Sequence, residues 1–202
     1  MYAARIGNES VGISFDEADL RKARVRAKLL KLDTSSFLQA DLQRLDELSP
    51  TLGMFDQVVC LETIEHIEND KKLLADLSGL LKPGGQLLLS APFKHYRPLF
   101  GDRISHSGDG GHVRWGYTHA ELKDLFDAAG LDVRVQEYVS GIVSQQITNL
   151  ERILSRVGRK FAWATTFPLR VFQPLDSALS KLTRYPYLSV AVVGVRRTTH
   201  NH

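Results

Sequence analysis

The chain has 202 residues, 43% hydrophobic and 24% charged, with a mean hydropathy of −0.17; this suits one globular domain and excludes disordered, collagen-like and transmembrane compositions. The single cysteine, Cys60, excludes an internal disulfide and a thiolate zinc cluster, and the start Met1-Tyr2-Ala3-Ala4-Arg5-Ile6 lacks a secretory pattern, so a cytoplasmic location is expected. The net charge of +3 is uneven: residues 140–202 hold 9 Lys/Arg against 2 Asp/Glu, and the preceding residues 17 against 21.

Val11-Gly12-Ile13 predicts a very short strand, after which Asp16 caps a helix with Leu20, Ala23, Ala27 and Leu30 at three- and four-residue spacing. Asp19 suits the positive end of that helix. Phe37-Leu38 begins a second brief strand ending at Asp41, and Asp56 to Leu61 reads as a strand buried on both faces. A helix with Leu73, Leu74, Leu77, Leu80 and Leu81 on one face follows, stopped by Lys82-Pro83-Gly84-Gly85, where proline then glycine suits a type II turn. Leu87-Leu88-Leu89 is the next buried strand.

From Phe93 to Tyr117 runs a polar connection far longer than the ~4–6 residues usual between elements, which marks it as a candidate lid. Thr118 and Glu121 then form a capping box ahead of Leu122, Leu125, Phe126 and Ala129, and Gly130 ends that helix. Leu131, Val133 and Val135 alternate with polar residues as in a half-buried strand. Residues 141–182 form an irregular, helix-prone, basic and aromatic insertion before a final strand at Leu188 to Val195. Strands alternating with helices predict an α/β fold.

Five stretches, in this order and spacing, carry a family resemblance: Val11 to Glu17, Gln39-Ala40-Asp41-Leu42, Phe55 to Glu62 with Glu65-His66, Leu81 to Leu89, and His112 to Thr118 followed by Glu121-Leu122. Over roughly residues 11–139 plus the final strand, the chain resembles a class I S-adenosylmethionine-dependent methyltransferase. The resemblance implies a three-layer, Rossmann-like α/β fold, with a mostly parallel sheet and an antiparallel C-terminal strand. It implies a single domain over 1–202 with the insertion at about 141–182, and S-adenosyl-L-methionine as cofactor. The implied reaction is methyl transfer to a small-molecule, lipid or glycan acceptor, at oxygen.

Two departures stand out. The first strand and the glycine-rich turn of the family pattern are missing, and Met1 to Ile6 looks like the tail of the helix that follows that turn. Without that strand the family's second and fourth strands must either meet or leave unpaired backbone groups. Ser14 stands where the family places an acid that holds both ribose hydroxyls, and a neutral hydroxyl loses the charge-assisted bonds. The competing reading is therefore a truncated or degenerate methyltransferase fold that serves as a binding module, or a fragment with a mis-assigned start. A nicotinamide-dependent dehydrogenase is a poor fit, because no G-x-G-x-x-G follows a strand.

By resemblance, the cofactor is held by Ser14, Phe15, Asp41, Leu42, Cys60, Leu61 and Glu62. Phe15, just beyond a strand end, can pack on the adenine face; Asp41 can accept from its amino group; Cys60, Leu61 and Glu62 flank the methionine part. For catalysis, Glu62, Glu65 and His66 form E-x-x-E-H, which on a helix brings all three to one face. The pattern resembles a cation-holding cluster of some methyltransferases and also a motif that only shapes the site floor; no metal is expected. His66, Glu65 and His112 are the expected acid/base residues, with His95 an alternative to His112. His106 and His119 lie in the same stretch, while His200 and His202 are tail residues. Residues 154–169 combine Arg156, Arg159 and Lys160 with Phe161, Trp163 and Phe167, a composition suited to peripheral membrane contact. A nucleic-acid partner is not expected, and the oligomeric state is left open.

Overall fold

The structure, a computed structural model, describes residues 2–96 and 111–198. The chain divides into two compact units, Met1–Gly53 and Met54–His202.

The first unit runs α1 (Tyr2–Arg5), β1 (Ser10–Ser14), α2 (Glu17–Leu29), β2 (Ser35–Gln39), a 3-10 turn (Leu42–Arg44) and α3 (Leu45–Leu52). Asp16 Oδ1 accepts from the Ala18 N–H at 2.7 Å, so the expected cap opens α2. Leu20 and Ala27 are buried, whereas Leu30 is exposed because it falls on the residue that ends the helix. β1 and β2 pair in parallel from Ser10↔Ser35 to Ser14↔Gln39. Ala4, Ala27 and Leu32 cluster, with Phe37 packed on them. α3 has no counterpart in the sequence reading, since Pro50 inside it obscures the helical pattern.

The second unit contains β3 (Phe55–Leu61), a 3-10 turn (Ile64–His66), α4 (Asp70–Gly79), β4 (Leu81–Pro92), α5 (His119–Ala128), β5 (Leu131–Val139) and β6 (Ser189–Arg196). Between β5 and β6 come α6 (Ile142–Ser155), α7 (Arg159–Thr166), a 3-10 stretch (Phe167–Leu175) and α8 (Asp176–Thr183). The expected helix-prone insertion is thus almost wholly helical and more regular than expected. The sheet order is β3-β4-β6-β5, with β3 parallel to β4 and β6 antiparallel to both neighbours. This is the expected α/β architecture with an antiparallel C-terminal strand.

Three local expectations are corrected. Leu81 opens β4 and does not close the preceding helix: pairing passes from Phe55↔Leu81 to Gln57↔Gln86, so Lys82-Pro83-Gly84-Gly85 bulges from the ladder. Gly84 there has φ +79°, the sign that a type II turn needs at its second central position. β3 is not buried on both faces, since it ends the sheet of its unit and exposes Val59 and Leu61. Val135 is exposed because a register shift between Val133 and Val135 interrupts the alternation of β5.

The core of this unit packs Leu73, Leu74, Leu87, Leu89, Leu122 and Phe126. The capping box of α5 forms in both directions, Glu121 N to Thr118 Oγ1 at 3.2 Å and Thr118 N to Glu121 Oε2 at 2.8 Å. Among the described residues β1 pairs with β2 alone and β3 with β4 alone.

Candidate active site

In the first unit the parallel register brings Ser14-Phe15 and Asp41-Leu42 out at the same carboxyl edge of β1 and β2, the edge at which open α/β sheets bind ligands. The Ala40 N–H donates to the Ser14 carbonyl at 3.0 Å, and Gln39 Nε2 donates to the Phe15 carbonyl at 3.0 Å. Phe15 is 68% exposed, so its ring belongs to no core within this structure. Ser14 Oγ accepts from the Asp16 N–H at 3.2 Å. Asp41 is exposed and caps the 3-10 turn through the Gln43 N–H at 2.9 Å, while Leu42 is half-buried.

In the second unit Cys60, Leu61 and Glu62 end β3. Cys60 is buried, and burial pushes its thiol up to about 12, so it holds its proton at neutral pH. Glu62 adopts a left-handed backbone with φ +47°, which costs a non-glycine residue on the order of 1–2 kcal/mol. Hydrogen bonds hold it there. Its N–H donates to the Ser90 carbonyl at 3.0 Å, and its two carboxylate oxygens accept from Ser90 Oγ at 2.8 Å and Ser189 Oγ at 3.3 Å. This turn corrects the expectation of one helix face carrying Glu62, Glu65 and His66. The left-handed residue breaks helical continuity, and only Glu65 and His66 share the following 3-10 turn.

Glu65, His66 and His112 come together. Glu65 is 1% exposed; its Oε1 lies 3.7 Å from His66 Nε2, and its Oε2 has no hydrogen-bond partner among the described residues. Burial pushes its carboxyl up to about 7, opposed by a backbone hydrogen bond and aided by the charge of Glu62. His66 Nδ1 lies 3.0 Å from the Gly111 carbonyl oxygen. A carbonyl oxygen only accepts, so Nδ1 carries the proton, and in the neutral ring the Nε2 lone pair is left on the side of Glu65. The His112 ring stands edge-on to His66 with centroids 4.7 Å apart and planes at 88°. One ligand atom from each of the three lies within 4.8 Å of the others, which also meets the spacing of a cation site.

The segment bringing His112 to this place is tied to α4. The Val113 N–H donates to the Glu65 carbonyl at 2.9 Å. Arg114 ion-pairs with Asp70 and donates to the Glu68 carbonyl at 2.8 Å and to Tyr117 Oη at 2.6 Å, and Tyr117 Oη donates to Asp70 at 3.0 Å. Gly116 is required by close approach, since a Cβ there would meet the Pro92 carbonyl oxygen at 2.4 Å. His95 is exposed beside Phe93, and His119 Nε2 lies 3.0 Å from the Glu137 carbonyl oxygen; neither belongs to the Glu65–His66–His112 group. His106, His200 and His202 lie outside the described residues.

Residues 1–89 match the family model described as a methyltransferase domain. Over 87 residues the chain is 30% identical to a ubiquinone biosynthesis O-methyltransferase of Acinetobacter baylyi, covering 43% of this chain and 36% of that protein. It is 35% identical over 85 residues to the protein of the same name from Dechloromonas aromatica, covering 42% and 35%. The match thus spans about a third of the length of these curated relatives. Among solved structures, phosphoethanolamine N-methyltransferase 2 of Haemonchus contortus, in complex with S-adenosyl-L-methionine, superposes with a TM-score of 0.61 at 15% identity, over 97% of this chain and 45% of that one. Residues 1–89 are thus similar to methyltransferase domains, and the fold is the one shared by solved S-adenosylmethionine-dependent methyltransferases.

S-adenosylmethionine is the cofactor of that family, and the residues present can be tested against it. The exposed Phe15 ring and the Asp41 carboxylate, whose second oxygen retains acceptor capacity, fit a purine with an exocyclic amine. The Ser14 hydroxyl fits a ribose diol more weakly than a carboxylate would, being neutral and already accepting one hydrogen bond. For a methyltransferase of this shape, the sequence reading missed Gly111, Arg114 and Tyr117. Arg114 and Tyr117 lie within the quoted His112–Thr118 stretch, but nothing in their spacing points to Asp70.

Proposed function

We propose that this methyltransferase binds S-adenosyl-L-methionine and transfers its methyl group to a hydroxyl of a small-molecule, lipid or glycan acceptor, with His66 as the base. The observation carrying this reading is the placing of His66 Nε2, the acceptor nitrogen of the neutral tautomer that the Gly111 carbonyl selects, beside the buried Glu65 carboxyl just after β3. Ser14, Phe15, Asp41 and Leu42 hold the nucleoside, and Leu61 and Glu62 the methionine part, with Cys60 as apolar wall. When bound, the cofactor supplies an electrophilic methyl carbon.

The protein's own task is to align the acceptor and remove its proton. His66 Nε2 takes that proton. Glu65 faces the resulting imidazolium from 3.7 Å, and its ionised form stabilises that charge. His112 closes the other side of the imidazole and relays the proton outward. No metal enters this reading, and chelation is expected to leave turnover within about twofold. Transfer to oxygen accords with the curated relatives, which are named ubiquinone biosynthesis O-methyltransferases, and residues 154–169 reach a membrane surface.

The test is isothermal titration with S-adenosylhomocysteine, followed by methyl transfer from labelled S-adenosylmethionine to a panel of phenols, catechols and sugars. Micromolar binding and oxygen methylation are expected. A folded chain that binds no S-adenosylhomocysteine would replace this reading by a non-catalytic binding module, which the neutral Ser14 favours.

A further inference from the structure

The helices between β5 and β6 expose a run of large apolar side chains. From residue 161 onward the apolar side chains Phe161, Trp163, Phe167, Val171, Phe172 and Leu175 are all exposed, Val171 to 72%. Leu182 extends the series at 81%. Trp163 and Phe167 pack ring to ring, with centroids 4.7 Å apart, while both remain exposed. So many exposed large apolar side chains within one short segment mark a surface suited to a partner.

The charge of the same helices identifies that partner. Arg152, Arg156, Arg159, Lys160, Lys181 and Arg184 are exposed there, together with Arg170, against Glu151 and Asp176. Both acids are engaged within the helical group. Asp176 accepts from the Gly141 N–H at 2.8 Å and the Val143 N–H at 2.7 Å, capping α6, and Glu151 pairs with Arg170 at 3.2 Å. Seven cations against two acids give the segment a net positive charge. A second copy of this chain would bring like charge against like charge. A nucleic acid would satisfy the cations and stack on aromatic rings, but it offers nothing to Val171, Leu175 or Leu182. A bilayer with anionic headgroups takes both: the headgroups meet Arg and Lys, and Trp, Phe and Leu enter the headgroup–acyl boundary.

We propose that α7, the 3-10 stretch and α8 form an interfacial docking surface for an anionic phospholipid bilayer, with Trp163, Phe167, Val171 and Phe172 as the inserted groups. This enlarges the membrane contact at 154–169 to the whole of residues 161–184 and commits it to anionic lipid. It stands independently of methyl transfer, because it needs neither cofactor nor acceptor.

The test is co-sedimentation of the full chain with extruded vesicles, without cofactor, of phosphatidylcholine alone and of phosphatidylcholine with a third phosphatidylglycerol. Binding to the anionic vesicles at least tenfold tighter than to the neutral ones is expected, with quenching of tryptophan fluorescence by brominated acyl chains. Arg159→Glu with Lys160→Glu, and separately Trp163→Ser with Phe167→Ser, are each expected to weaken binding at least tenfold. All four positions are exposed, so circular dichroism should be unchanged. Equal binding to both vesicle types, no binding to either, or anionic binding that survives Trp163→Ser with Phe167→Ser would overturn the proposal. So would a dimer that the serine variant dissolves in the absence of lipid, which would assign the surface to a second copy.

Discussion

His66 Nδ1 sits 3.0 Å from the carbonyl oxygen of Gly111, forty-five residues away in the chain. This contact selects the imidazole tautomer and so decides which nitrogen can act as a base. His66→Ala is expected to lower turnover by roughly 100-fold or more, the scale of general-base removal, while the affinity for S-adenosylhomocysteine changes less than about threefold. Steady-state kinetics and calorimetry on the same preparation separate the two. A larger loss of cofactor affinity than of turnover would refute the role.

Glu65 links the same cluster to pH. Its carboxyl moves from 4.5 to about 7 in the folded protein, chiefly through burial. Between those values the folded chain binds more protons than the unfolded chain, so stability falls as pH rises through the window. The contribution is complete below pH 4.5 and lost above 7, and it amounts to about 3 kcal/mol at most. Thermal midpoints at pH 5 and pH 8 should differ more for the wild type than for Glu65→Gln. Equal differences would mean that Glu65 is ionised throughout.

Tyr117 is 4% exposed, accepts from Arg114 and donates to Asp70. Tyr117→Phe leaves both partners less satisfied and is expected to cost about 1–3 kcal/mol in urea unfolding. It should also lower turnover, because the segment carrying His112 and Gly111 is tied down through this network.

Ser14 provides a gain-of-function prediction. Ser14→Glu would supply a charged acceptor for a diol, and is expected to tighten S-adenosylhomocysteine binding about fivefold, the difference of about 1 kcal/mol between neutral and charge-assisted hydrogen bonds. Titration calorimetry reads this directly. Unchanged or weaker binding would mean that the Ser14 position does not face the ribose.

Cys60, with its thiol pushed up to about 12 and its side chain buried, should react with iodoacetamide slowly in the native state and rapidly in urea. Rapid native labelling, followed by mass spectrometry, would show that the end of β3 opens readily.

Much of the architecture was legible because it is local. The Asp16 cap, the Thr118–Glu121 box and the paired leucines of α4 and α5 depend on residues three or four apart, and each formed as expected. The choice of Glu65, His66 and His112 rested on residue chemistry and resemblance, and these three are the side chains that the fold gathers. A shared helix face for Glu62, Glu65 and His66 does not form, because contacts with Ser90 of β4 and Ser189 of β6 hold Glu62 in a left-handed turn.

By itself, then, the sequence determined the kind of fold, the resemblance to methyltransferases and the ionisable groups on hand, because periodicity, capping and motif wording are properties of short stretches of chain. The tertiary structure alone decided which histidine joins His66, which nitrogen of His66 is free to accept a proton, how far burial shifts Glu65, and which apolar side chains of the helical insertion stay exposed. Those outcomes turn on burial and on contacts between residues tens of positions apart, as when Arg114 reaches Asp70. No local spacing encodes them.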